Sequence, residues 1–474
     1  MMSPADRPPS DRPHAEPRHA IVDDGDAGEN ERLAVIALME AGDMQGAATL
    51  LADLHPSDVA DLLEQADDER RDELVALLRP SFDAEILAYL SVDLREEVVE
   101  QLEPKALAAA VAELDTDDAV DVIQDLDEEA QAEILANLPP DARALVEEGL
   151  TYPEFSAGRL MGREFVSVPE FWTVGGLLDY LRAAATSDDS HVPEQFYDIF
   201  IVDPMHRVVG SVPLSRVLRA RRGVKLNDIL HEDIHRIQAT MDQEEVARLF
   251  RNYGLVSAPV VDKGGRLLGV ITVDDVVDVI EEEAEADMLA MGGVGDDDLY
   301  RAVLGTARSR FRWLAVNVVT ALLAATVINL FSATISHLVA LAVLMPIVAS
   351  MGGNAGTQTL TVAVRALATK ELTPANATRV IGKEMLVGLL NGGALAVIIG
   401  LIAYAWFGQP LLGVVIACAM VVNLFCAGLF GALIPFALDR MHIDPAVASG
   451  VFLTTVTDVV GFLAFLGLAT LMLV

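Results

Sequence analysis

The chain has 474 residues, 52% of them hydrophobic, yet its formal net charge is −38. The two values belong to different stretches: from Phe311 onward there are five acids and six bases, which leaves 66 acids and 27 bases, a net −39, in the residues before it. A front this acidic repels nucleic acid and anionic lipid heads and draws cations, and no nucleophile–base pair, Walker loop or zinc spacing points to an enzyme.

Residues 1–30 open with five prolines in the first 17 positions and contain no apolar run. They read as a disordered tail rather than a signal peptide. Residues 31–150 then repeat. Leucine stands at 54, 78, 90, 102, 114, 126, 138 and 150, a period of 12 with Ala66 in the gap, and units restart at turn clusters such as "LHPSD", "LEPK" and "LPPD". Twelve residues make one short helix and its turn, so stacked units predict an acidic α-solenoid.

Composition changes at Thr151. Over 151–280, β-branched runs alternate with helical ones in the order strand, helix, strand, turn, strand, helix, and the order occurs twice. The turns "DPMHR" and "DKGGR" each lie between two β-type runs, a hairpin signal. This doubled α/β pattern, with "APVVDKGGRLLGVITVDD" as its most specific stretch, resembles a tandem cystathionine-β-synthase (CBS) domain pair. In the first copy Pro213 and Arg216 stand where a hydroxyl and an acid would hold a nucleotide ribose. The second copy keeps Thr272 and Asp275. These two are the candidate nucleotide-binding residues, and on this ground ATP is a doubtful ligand.

An acidic run follows, "TVDDVVDVIEEEAEADML", and residues 281–310 are assigned to a helix joining the CBS pair to what comes next. Like charges at i,i+4, such as Asp274, Asp278 and Glu282, weaken an isolated helix. A divalent cation between them would offset that, which makes Asp274, Asp275, Asp278, Glu282, Glu283 and Asp287 candidate regulatory metal ligands.

Residues 311–474 hold five apolar segments, near 311–331, 338–364, 385–407, 411–436 and 447–474, each long enough to cross a bilayer. Arg308, Arg310, Arg312, Arg365, Lys370, Arg379, Lys383 and Arg440 all fall on one side of the implied topology, while the loops "SATISH" and "GQP" carry no Lys or Arg. The positive-inside rule then places the N-terminal domains in the cytoplasm and the C-terminus outside an inner (cell) membrane. Cys418 and Cys426 lie in apolar sequence and read as small hydrophobes.

Asp458 is the one acid in the last segment. A carboxylate at the bilayer centre costs about 2.5–3.5 kcal/mol on insertion scales and usually faces a watery path. The second segment, "LMPIVASMGGNAGTQTLTV", holds a proline and three glycines, which predicts a broken helix lining a cavity. Pro346, Gly352, Gly353, Asn354, Gly356, Gln358, Thr454 and Thr455 are therefore candidate pore-lining residues around Asp458. Hard oxygen donors suit Mg²⁺, Ca²⁺ or Mn²⁺. One carboxylate per chain cannot cage a bare ion, so two copies would face each other across a homodimer axis and hold a hydrated one. Gly388 and Gly392 in the third segment read as helix packing.

The order of parts is multidomain: cytoplasmic solenoid, tandem α/β CBS pair, acidic connecting helix and five-helix transmembrane domain. Together with "GGNAGTQ", "RALATKEL", "KEMLVGLL" and "TVTDVVG", it resembles the MgtE family of magnesium channels. The resemblance implies a homodimeric, Mg²⁺-selective channel of the lipid bilayer. Its aspartate at the position of Asp458 binds hydrated Mg²⁺, and cytoplasmic Mg²⁺ on the acidic helix closes the pore. The alternatives are a channel mainly for Mn²⁺ or Co²⁺, or a nucleotide-sensing CBS membrane regulator without a pore, against which Asp458 and the second segment argue. The family pattern has an Asn where this chain has Gly428, with Asn423 upstream and off that face.

Overall fold

The computed structural model describes residues 25–186, 192–193, 195–294 and 303–473. Most of the expected tail, and residues 295–302 of the expected connecting helix, lie outside them. The chain divides between Thr151 and Tyr152 into two compact units.

The first unit is a run of ten α-helices, α1 (Gly25–Glu40), α2 (Met44–Leu51), α3 (Pro56–Gln65), α4 (Asp68–Leu78), α5 (Glu85–Tyr89), α6 (Val92–Glu100), α7 (Pro104–Val111), α8 (Thr116–Gln124), α9 (Glu128–Asn137) and α10 (Pro140–Gly149). Helix starts at 44, 56, 68, 92, 104, 116, 128 and 140 keep the 12-residue period, and the unit at 80 departs from it as a 3₁₀ turn, Arg79–Ser81, ahead of α5. Proline at the first helical position of α3, α7 and α10, and Asp67 and Asp127 capping α4 and α9, set those starts.

Helices this short leave many end carbonyls without partners. Buried Arg71 donates to the carbonyls of Leu63 and Ala66 (3.1 and 3.0 Å) and pairs with Glu97 one pair of helices further on. Arg95 repeats the arrangement 24 residues later, on Leu90 O and Asp121 O, paired with Asp121 and Asp125. Gln131 takes the same place without a charge, on Gln124 O and Leu126 O. Leu63, Leu74, Leu87 and Ile123 fill the core between.

The second unit begins with the doubled α/β pattern. The first copy is β1 (Val166–Pro169), α11 (Val174–Ala184), β2 (Asp198–Val202), β3 (Val208–Pro213) and α12 (Leu214–Arg219); the second is β4 (Ile237–Gln238), α13 (Gln243–Tyr253), β5 (Ser257–Val261), β6 (Leu267–Thr272) and α14 (Val273–Gly292). In each sheet the first pair is parallel and the second antiparallel, with Ile199 opposite Val212 and Ala258 opposite Ile271. Asp203 and Asp262 close the two hairpin turns by accepting from backbone N–H groups two and four residues on. At Asp203 those bonds, Arg207's first, hold the carboxyl below its ordinary value. The copies join where Val208 N donates to Gly265 O and Leu267 N to His206 O, over a core shared by Phe200, Val202, Val261 and Leu267. Helix α14 runs through residue 280 without a break, so the last CBS helix and the acidic connection are one element.

Five further helices are long and apolar enough to cross a membrane: α15 (Val303–Leu330), α17 (Ala340–Ala368), α18 (Ala377–Phe407), α19 (Pro410–Arg440) and α20 (Pro445–Leu473), with a short α16 (Ser332–His337) after the first. Helix α19 is central, packed on α17, α18 and α20. It meets α18 through backbone contact: a Cβ on Gly400 would lie 2.9 Å from the Gly413 carbonyl, and one on Gly413 2.6 Å from the Gly400 carbonyl. Gly388 and Gly392 meet Leu424 and Val421 in the same seam, as expected of packing residues.

The expected break in the second segment is absent. Helix α17 is continuous through Pro346 and the glycine run. Proline sits early in the helix, where it forfeits one bond, and α19 and α20 press on Gly352 and Gly356 and hold the rest helical.

Candidate ion-conduction site

Asp458 lies near the middle of α20, half-buried, and among the described residues makes no hydrogen bond or ion pair. The threonines around it are occupied elsewhere. Thr454 Oγ1 donates to Gly450 O and Val451 O (both 3.1 Å), Thr455 Oγ1 to Val451 O (2.7 Å) and Thr457 Oγ1 to Leu453 O and Thr454 O (both 3.1 Å). Their donors are spent on their own helix, so their oxygens remain acceptors, as a cation path requires, and none neutralises the carboxylate.

Helix α17 packs beside α20 and presents Pro346, Ser350, Asn354, Thr357, Gln358 and Thr361 on its exposed side, at helical spacing. Gly353 is half-buried with open space where a Cβ would stand. Gly352 and Gly356 are placed differently from the rest of the candidate set. They are buried in helix contacts, Gly352 against Asn423 of α19 and Gly356 against Leu453 of α20, rather than on the exposed side. Gly428, at the position where an Asn was expected, faces α18 at the Glu384 carbonyl.

The regulatory candidates spread along α14. Asp274, Asp278 and Glu282 are exposed. Asp275 is engaged in a capping box, where its Oδ2 accepts from Thr272 N (3.0 Å) and Thr272 Oγ1 (2.8 Å). Burial pushes its carboxyl up to about 6, with the charges of Asp274 and Asp278 adding to the shift. Glu283 accepts from Gln243 Nε2 (2.9 Å). Asp287 is half-buried; burial raises its pKa, and the charges of Asp444 and Glu283 raise it further. Burial likewise raises Glu244, opposed by Lys370 and reinforced by Glu283, Asp242 and Asp287.

Sequence reasoning missed Glu244 of α13 and Asp444 just ahead of α20, whose charges act on or are acted on by α14, and Lys370 of the α17–α18 loop, whose charge acts on Glu244. Among the described residues no three of His, Cys, Asp or Glu are already arranged as a metal site. The C-terminal part of α14 sits on the membrane helices: Ala290 packs with Leu360, Val364, Ala446 and Leu453, and the left-handed Gly293 lies against Trp313.

The nucleotide candidates Thr272 and Asp275 bond to each other and do not line the cavity found in the CBS pair. That cavity, of about 610 Å³, opens beside the first copy's motif, among Tyr197, Asp198, Ser211, Pro213, His231 and Ser257. Ser257 Oγ donates to Asp198 (2.8 Å), whose carboxyl burial holds above its ordinary value.

Three family profiles match the chain: "MgtE intracellular N domain" over residues 54–155, "CBS domain" over 226–282 and "Divalent cation transporter" over 345–468. A relative called magnesium transporter MgtE from Thermus thermophilus is 38% identical over 70% of this chain and 74% of its own length. Another of that name, from Enterococcus faecalis, is 34% identical over 69% of this chain and 71% of its own. A crystal structure of the cytosolic domain of the Mg²⁺ channel MgtE in complex with ATP is 33% identical, with a TM-score of 0.48 over 52% of this chain and 99% of that one. With relatives this similar along most of their length, the chain belongs to the MgtE family of divalent cation transporters.

Proposed function

We propose that the protein is a Mg²⁺-selective channel of the inner membrane, working as a homodimer and closed by cytoplasmic Mg²⁺. The observation that carries the reading is Asp458, a membrane-helix carboxylate without a hydrogen bond or ion pair among the described residues, beside a helix with Asn354 and Gln358 on its exposed side. An intramembrane acid costs about 2.5–3.5 kcal/mol, and a passing hydrated dication offsets that cost. Mg²⁺ gives up its water reluctantly, so uncharged oxygens from Asn354, Gln358, Thr454 and Thr455 would contact its water shell while two Asp458 carboxylates supply the charge. Arg365, Lys370, Arg379, Lys383 and Arg440 support a cytoplasmic face at one end of the helices, with the C-terminus outside.

Closure follows from the acids around α14. Without metal, Glu244, Glu283, Asp287 and Asp444 repel one another across the junction with the membrane helices. Mg²⁺ bound there, or at Asp274, Asp278 and Glu282, favours the packed, closed arrangement by population shift. Mn²⁺ or Co²⁺ as the main cargo is the alternative within transport, and uptake measured for each separates them.

The test is uptake by the purified full chain in proteoliposomes. Asp458→Ala should fold, elute as the wild type does and carry no Mg²⁺. Uptake at the wild-type rate would remove Asp458 from the path.

A further inference from the structure

Asn423 lies in the apolar middle of α19, is fully buried, and reaches another helix. Its Nδ2 donates to the carbonyl of Val348 in α17 at 2.8 Å. The amide orientation follows from chemistry, because only the nitrogen can bond a carbonyl oxygen. Its Oδ1 is buried and has no hydrogen-bond partner among the described residues. Other buried hydroxyls of these helices return to their own helix, as Thr457 does, meet another hydroxyl, as Thr334 does with Thr470, or meet a carboxylate, as Thr359 does with Glu384.

Two glycines make room for this amide. A Cβ on Gly461 of α20 would stand 2.8 Å from Nδ2, and one on Gly352 of α17 would overlap the side chain outright. Three helices thus converge on one group. Gly352 is two residues before Asn354, and Gly461 three after Asp458. The bonded carbonyl, Val348, is two residues past Pro346, whose missing N–H leaves the Ala342 carbonyl, one turn before it, without its helical donor. A leucine would fill the same slot without leaving an orphaned oxygen, but apolar packing has no direction and permits α17 to slide or turn against α19. A directed bond to one carbonyl does not.

Building on the reading of α17 and α20 as the walls of the ion path, we propose that Asn423 is a positioning residue for permeation: its amide locks α17 at Val348 into the Gly352–Gly461 slot and so sets where Asn354 stands relative to Asp458. The half-unsatisfied amide is retained for that register.

The test uses the full chain in proteoliposomes, with Mg²⁺ and Mn²⁺ as probes and the unfolding temperature measured alongside. Asn423→Leu should unfold no earlier than wild type and elute identically. Its Mg²⁺ uptake should fall roughly tenfold or more, as misplacement of reacting groups does, and its ratio of Mg²⁺ to Mn²⁺ uptake should drop. The double variant Asn423→Ala/Gly352→Ala, which refills the slot with methyl groups, should fold and show the same loss of ion discrimination. Wild-type rate and ion ratio in either variant overturn the proposal. So does failure of both to fold, which would make Asn423 a packing residue alone. Absence of Mg²⁺ uptake by the wild type is a different result: it removes the channel reading itself.

Discussion

Burial, and after it the charge of Asp444 just ahead of α20, raises the pKa of Asp287 on the acidic helix α14. The two are 157 residues apart in sequence, and their proximity ties the end of the soluble part to the helix that carries Asp458. Two carboxylates held near each other store repulsion that a bound dication releases. A ligand that binds the packed state alone stabilises it by about 2.7 kcal/mol at a hundred times its Kd. Saturating Mg²⁺ should therefore raise the unfolding temperature of the wild-type chain. Asp287→Asn combined with Asp444→Asn should shrink that rise and leave currents that cytoplasmic Mg²⁺ shuts poorly. An undiminished Mg²⁺ effect on both would place the sensing elsewhere.

Asp275 makes a pH prediction. Its folded pKa of about 6 lies above the ordinary 3.8, so between those values the folded chain keeps a proton that the unfolded chain has lost. The stability it contributes is fully present below the unfolded value and is lost as pH rises through about 6. The effect is on the order of 1–3 kcal/mol. Asp275→Asn keeps an oxygen for the Thr272 N–H and carries no buried charge. The variant should match wild type in thermal unfolding at pH 4 and exceed it at pH 7.5. A constant difference across that range would mean that the carboxyl does not titrate there.

The solenoid's arginines predict an asymmetry between charge and position. Arg95 caps the Leu90 and Asp121 carbonyls and pairs with Asp121 and Asp125 from a buried site. Arg95→Met removes the donor from those carbonyls and the charge partner of two solvent-accessible carboxylates, at a cost of roughly 1–3 kcal/mol. Gln131 does the equivalent capping with an amide, so Arg95→Gln should recover part of the loss. Thermal unfolding of the full chain, followed by protease sensitivity of residues 31–150, checks both. Equal damage from Met and Gln would assign the stabilisation to charge alone.

How much of this was readable beforehand follows from the range of each interaction. The 12-residue leucine period anticipated helix starts at Pro56, Pro104 and Pro140 because cap, proline and apolar face are all local. It failed at Pro80, where the chain makes a 3₁₀ turn before α5. The α/β doubling was readable from β-branched runs between polar turns. Continuity of α17 was not, since what straightens it is pressure from α19 and α20 on Gly352 and Gly356. Nor was the meeting of Glu244, Lys370, Asp287 and Asp444, because no period or spacing links a CBS helix to a membrane loop. Asn423 stood in the sequence as an off-face oddity, and only the packing supplied its partner, Val348.

Charge and shape at Asp458 can be separated. At an effective dielectric of 20, opposite unit charges 4 Å apart attract by about 4 kcal/mol, and a dication doubles this. Asp458→Asn keeps the size and an oxygen but removes that attraction, and in a dimer it removes it twice. Asp458→Glu keeps the charge and carries it one methylene further into the path, where it displaces water from the ion's shell. Mg²⁺ uptake should be abolished in the Asn variant and slowed but measurable in the Glu variant, with both eluting as wild type does. Radiotracer or dye-monitored initial rates in proteoliposomes distinguish them. Should Asn conduct Mg²⁺ as well as Glu does, the carboxylate's role would be spacing between helices rather than attraction of the ion.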